Sequence, residues 1–318
     1  VKARRWQLLA LFLGTLFALF LFQKAQPASV WGLLRRTSTP ALLMALALHG
    51  LLLALRSLRL QLISGHLTWP QSFLLLSTSQ AASALLPWRL GELFLPPLAK
   101  WMLRVSLVKG ALWWLANRLL DLWSLAALAL AFALLGLLPK GLTLPAALLL
   151  LFASALAFAA SWRPLWRLLW RYGGKTRKAL LRFRLAVRRW QRRKPMLLAA
   201  LGASLGSWGL VMAFTAVLSQ GMGIPLKIPS LVLAVFGAAL GALVPVAGIG
   251  NLGPLDAGFA AALSTTGMPS SQALALAFAL HLWTLCLQLL YGFLAMSWLA
   301  LSSGSPSGNG PKAQDESF

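Results

Sequence analysis

Three acidic residues stand where an acid is costly. Glu92, Asp121 and Asp256 lie in strongly apolar stretches, and the other two acids, Asp315 and Glu316, belong to the C-terminal tail. A charge at the centre of a membrane helix costs roughly 2.5–3.5 kcal/mol on insertion scales, so such residues are functional candidates by default. Arg89 precedes Glu92 by three positions, and Arg118 precedes Asp121 by three. On a helix that spacing puts both charges on one face, where they can pair. The plainer reading is that the pairs lock helices together. The sharper reading is that Arg89 and Arg118 face a shared cavity and hold an anionic headgroup, while Glu92 and Asp121 orient them. A guanidinium suits phosphate because its planar fork donates two parallel bonds. Asp256 has no arginine nearby in sequence. It either accepts bonds from amides freed in a glycine-rich turn or meets an arginine from the other half of the chain. Asn117 either donates to a headgroup or caps a neighbouring carbonyl. His49 and His281 read as polar contacts between helices, with proton coupling as the sharper alternative.

The other chemistry-bearing types give little. A single cysteine, Cys286, excludes a disulfide within the chain and any multi-cysteine metal site. The three histidines have no short-range ligand spacing, so neither a metal nor a cofactor is implied, and no residue is assigned a catalytic role.

The elements that position these residues follow from composition. Of 318 residues, 59% are hydrophobic and 11% charged, with 29 Lys+Arg against 5 Asp+Glu. Soluble domains carry about 25% charged residues, so a soluble enzyme and a histone-like protein are both excluded. The pattern is that of an all-α, polytopic membrane protein. Stretches long enough to span are residues 6–22, 40–60, 107–138, 142–161, 196–219, 228–247 and 270–300, about seven in all. Lys2, Arg4 and Arg5 ahead of the first stretch resemble a secretory signal, but the run lacks a small-residue cleavage site and reads as a first span. Two further stretches are broken. Residues 71–99 carry Pro87, Pro96 and Pro97, and residues 245–267 carry Pro245, Pro254 and five glycines that include Gly248 and Gly250. Irregular backbone at membrane depth survives only when buried in protein or lining a wet cavity. The second stretch is either a close helix-packing seam or an anion-cradling turn.

Between Arg163 and Lys194 there are 13 Lys/Arg and no acid, so the positive-inside rule makes this segment cytoplasmic, and the N-terminus with it. Leu180, Phe183, Val187 and Trp190 line one helical face there, which predicts an amphipathic helix on an anionic leaflet rather than a nucleic-acid site. Arg56, Arg59, Lys100, Arg104 and Lys109 fall on the cytoplasmic side if residues 71–99 form a re-entrant hairpin. Lys24, Arg35 and Arg36 then fall on the opposite side, against the rule. The second broken element opens from the other face. Interrupted segments in opposed halves point to an inverted-repeat transporter with a midplane site. The domain reading is one membrane domain over residues 1–301 and a disordered tail over 302–318.

Three motifs in order give a resemblance. Leu86-Pro87-Trp88-Arg89-Leu90-Gly91-Glu92 resembles the P-x-R-x-G-E element of the lysylphosphatidylglycerol synthase/flippase transmembrane family. Asn117-Arg118-Leu119-Leu120-Asp121 resembles its E-R-x-x-D element, with Asn117 where Glu is usual, and Pro245 to Asp256 resembles its second Pro/Gly-rich element, with Asp256 in place of Glu. The resemblance implies a flippase-like domain with two re-entrant hairpins. It names Arg89, Glu92, Asn117, Arg118, Asp121, Gly248, Gly250 and Asp256 as substrate-binding candidates. It also implies a phospholipid or polyprenyl-linked (isoprenoid) lipid as substrate and the bacterial inner membrane as location. A homo-oligomer or an envelope-biosynthesis partner fits the same reading. The soluble aminoacyl-transferase domain of the synthase branch is expected to be absent. The rival expectations are a membrane-embedded transferase acting on a lipid carrier and a non-catalytic scaffold of a lipid-synthesis complex.

Overall fold

A computed structural model describes residues 15–86, 92–138, 148, 151, 154, 194–244 and 248–303. Every element among them is helical. These are α1 (Thr15–Lys24), α2 (Pro27–Arg36), α3 (Thr39–Ser64), α4 (Trp69–Leu85), a single 3-10 turn (Glu92–Phe94), α5 (Leu95–Leu103), α6 (Leu107–Leu134), α7 (Lys194–Gly221), α8 (Ile228–Gly241), α9 (Pro254–Ser264) and α10 (Ser270–Ser303). Four of them, α3, α6, α7 and α10, are long and apolar enough to cross a membrane. Their outer faces keep large apolar side chains in the open, such as Leu51, Leu134, Leu198 and Phe293. In water that would be an aggregation surface, and in a bilayer it is the lipid contact.

Not all of the seven expected stretches fall within the described residues: the 6–22 stretch is described only from residue 15, and one stretch that is described is reshaped. The 228–247 stretch is no straight crossing: α8 stops after 14 residues and the chain turns back into α9. The 142–161 stretch lies outside the described residues apart from three isolated positions. The basic segment lies outside them as far as residue 193, and so does the tail from residue 304.

Local signals set the breaks. Ser38 precedes α3, with Pro40 in its first turn, and Gly65 stops it at φ 72, a left-handed conformation that glycine takes at no steric cost. Thr68 and Gln71 form a reciprocal capping box at the start of α4. Pro87 follows α4 by two residues, and Pro96 and Pro97 fall in the first turn of α5, where a missing N–H costs nothing.

The topology follows from which ends touch. α3 and α7 run antiparallel: the Ser38 N–H donates to the Gly221 carbonyl at 3.1 Å at one end. Towards the other end, the Arg59 guanidinium reaches Ser204. The α4–α5 hairpin leaves and returns at the His66 end, where the His66 ring packs on Trp113 of α6 with centroids 5.3 Å apart. Burial there holds the His66 imidazole below its ordinary range, Lys109 adds to this, and the Ser64 carbonyl opposes it. The α8–α9 hairpin leaves from the opposite, Thr37 end, after Gly221, and returns to the start of α10. There the run Ala273–Leu280 is buried on every side by α1, α2, α7 and α9.

The two hairpins meet halfway along α10. A Cβ placed on Gly250 would lie 3.0 Å from Leu285 of α10 and 3.2 Å from the Ala84 carbonyl near the tip of α4. α10 has 34 residues and so is about 50 Å long, and Leu285 is close to its midpoint.

α8 and α9 touch backbone to backbone. A Cβ on Gly237 would run into the Gly258 carbonyl, and a Cβ on Gly258 would run into the Gly237 carbonyl. Small residues at such a seam let helices approach closely. Gly258→Ala therefore has to push the hairpin apart, which is expected to cost about 1–3 kcal/mol. The check is a drop in the thermal unfolding midpoint in detergent.

Candidate functional site

Arg59 sits on α3 with Leu60, Leu62 and Ile63 still to follow before the helix ends, and it is 3% exposed. A guanidinium there needs partners. Its Nη1 donates to Asp121 Oδ1 on α6 and, at 2.7 Å, to Ser204 Oγ on α7. One buried arginine thus ties three membrane-crossing helices together. Arg59 is thus buried among helices near the His66 end of α3. The helix does not end at the apolar window's edge, and the opposed acid makes burial tolerable.

Asp121 is shared. Its second oxygen, Oδ2, lies 3.7 Å from Arg118 Nη1, in the i,i+3 geometry expected from sequence. Arg118 keeps 44% of its side chain exposed, against 4% for Arg59. So Arg59 is the structural partner of Asp121, and Arg118 is the accessible cation beside it. Arg56, one turn back on α3, also acts electrostatically on Asp121. Three arginines therefore surround one carboxylate. Arg89 lies outside the described residues, and Glu92 opens the 3-10 turn after α4.

Asn117 is buried on α6. Its amide donates to the Trp113 carbonyl one turn back, at 2.8 Å, which is the carbonyl-capping alternative.

Asp256 forms a second, separate centre. It is fully buried, and its two oxygens are both used. Oδ2 accepts the Gly253 N–H at 2.8 Å, capping α9, and Oδ1 meets His281 Nδ1 on α10 at 2.8 Å. Of the two sequence alternatives, the freed amide holds, while the partner across the fold is a histidine and not an arginine. The His281 ring also engages the Gly250 backbone.

Two amides of the glycine-rich turn are satisfied within the chain. The Gly248 N–H donates to the Leu252 carbonyl at 2.9 Å, and the Gly253 N–H is taken by Asp256. The protein's own carboxylate occupies the start of α9, where an anion would otherwise sit. Gly250, at φ 65, lets the turn lie against α4 and α10. These contacts are those of a close-packing seam, and residues 245–247 of the segment lie outside the described residues.

Sequence reasoning missed Arg59, Ser204 and the His281–Asp256 pairing. For Arg59 a signal exists: apolar residues continue after it, which places it inside a span. Among the described residues there is no cluster of metal-ligating side chains.

Comparison with curated proteins and with solved structures finds no match. The family model described as "Lysylphosphatidylglycerol synthase TM region" matches residues 7–292, which includes both hairpins, the arginine cluster and the His281–Asp256 pair. With the match running over most of its length and its described residues folded as apolar helices, this chain is a multi-pass membrane protein of the lysylphosphatidylglycerol synthase transmembrane family.

Proposed function

We propose that the chain translocates, or assists in translocating, an anionic or lipid-linked substrate between the leaflets of the bacterial inner membrane, with its N-terminus cytoplasmic. The observation that carries this reading is the meeting of two oppositely entering hairpins at the middle of α10. Broken elements that meet at mid-depth supply a surface along which access can alternate between faces. The arginines around Asp121 supply the chemistry. Arg118 is the exposed member that engages the headgroup phosphate, while Arg59 holds Asp121 in place. Asp121 then exchanges Arg118 between itself and the substrate.

The test is leaflet exchange of headgroup-labelled lipids in proteoliposomes, with anionic, zwitterionic and polyprenyl-phosphate lipids compared. Wild type is expected to exchange an anionic member. Arg118→Ala is expected to lose at least tenfold of that rate while keeping its fold, the loss of about one charge-assisted phosphate contact. Exchange that survives Arg118→Ala removes the proposed role of Arg118. Absence of exchange for every lipid favours the scaffold and transferase readings.

A further inference from the structure

The Thr37 end of the bundle carries cations that the positive-inside rule would remove. Arg35 and Arg36 end α2, Lys24 ends α1, and all three are exposed. No acid precedes Glu92 in the chain to neutralise them. α2 is amphipathic. Val30 is 1% exposed and, with Leu33 and Leu34, seats the helix on the core, while Trp31 stays 56% exposed. The Arg35 guanidinium lies 5.1 Å from the Trp31 ring centre, which holds the cation on the outer face.

Directly after these arginines the chain enters α3, and a groove opens between α3, α7 and α10. It has a volume of about 180 Å³ and an almost wholly apolar lining that includes Leu42, Leu43, Leu46, Trp283, Leu287 and Leu290. Leu43 is 63% exposed and Leu290 is 42% exposed, so the groove faces the membrane. Its polar edge is fixed by Trp283, whose indole N–H donates to Thr37 Oγ1 at 3.2 Å, next to Arg36. Two cations that immediately precede the Thr37 edge of an apolar slot match a lipid with an anionic headgroup and a hydrocarbon chain.

We infer that this end of the bundle holds an acidic phospholipid, its phosphate at Arg35 and Arg36 and one acyl chain in the groove beside Leu43. The site is distinct from the Asp121 cluster and stands whether or not the chain translocates lipid. It also accounts for cations at the end of the bundle opposite Lys194.

The test places a photo-reactive amino acid at the groove, Leu43→p-benzoylphenylalanine, in the full chain in vesicles of equal phosphatidylglycerol and phosphatidylcholine. Illumination is expected to give roughly tenfold more phosphatidylglycerol adduct, the preference that two arginines near a headgroup provide. Adding R35Q/R36Q is expected to bring the ratio near one. Both side chains are exposed, so their loss leaves the packing intact. Adding R188Q/R189Q in the basic segment is expected to leave the preference unchanged. Adducts that mirror the vesicle composition in wild type, or a preference that survives R35Q/R36Q, overturn the assignment. So does loss of the preference in R188Q/R189Q alone.

Discussion

Arg59→Ala is expected to destabilise the folded chain by about 3–5 kcal/mol, the range for breaking a buried ion pair from one side. The loss has two parts. Asp121 keeps its charge without its nearest partner, and Ser204 loses the donor that joins α7 to α3. The Asp121 side chain retains 21% exposure, and Arg118 is still beside it, so the cost falls towards the lower end of that range. Replacing both members, R59L/D121L, removes the unpaired charge together with the pair. That double variant is expected to be markedly more stable than Arg59→Ala. Equilibrium unfolding in detergent compares the two. Equal losses in both variants would mean that Arg59 acts through packing and not through its charge.

Asp256→Ala is the second large effect, expected at about 3 kcal/mol. The helix cap contributes about 1 kcal/mol of it, and the rest comes from leaving a buried partner unsatisfied. The Gly253 N–H and the His281 imidazole both lose their acceptor, and His281 keeps under a tenth of its side chain exposed. Asp256→Asn retains a carbonyl oxygen that can accept one of the two bonds, so it is expected to cost less than half as much. Thermal unfolding of both variants orders them. If Asp256→Ala melts like wild type, the pair does not anchor the second hairpin.

How far the sequence discloses this arrangement depends on the range of each interaction. The helical membrane class is legible because it rests on composition and on uninterrupted apolar length. The two breaks are legible because Pro87, Pro96, Pro97 and Pro254 act locally. The Arg118–Asp121 contact is legible because it spans one helical turn. The nearer partner of Asp121 is 62 residues away, and the side-chain partner of Asp256 is 25 residues away on another helix. No local spacing encodes either contact. Arg59 is masked further by Arg56: two arginines a turn apart near the end of an apolar window look like an interfacial anchor. Only the residues from Leu60 to Ile63 show that the helix goes on. The α8–α9 seam lies between these cases. Gly237 and Gly241 have the four-residue spacing of a close-packing face, but Gly258 opposite them becomes visible only once the chain is known to turn back.

The central claim is that the two hairpins enter from opposite faces of the membrane. It is tested most directly by thiol labelling of single-cysteine variants. Cys286 is the sole native cysteine, so Cys286→Ala gives the background. His66→Cys marks the base of the first hairpin and Thr266→Cys the base of the second, and both positions are exposed. A membrane-impermeant maleimide is applied to right-side-out and to inverted vesicles. The expected result is labelling of the two positions from opposite faces, with position 66 reached only in inverted vesicles. Labelling of both positions from one face would contradict the account.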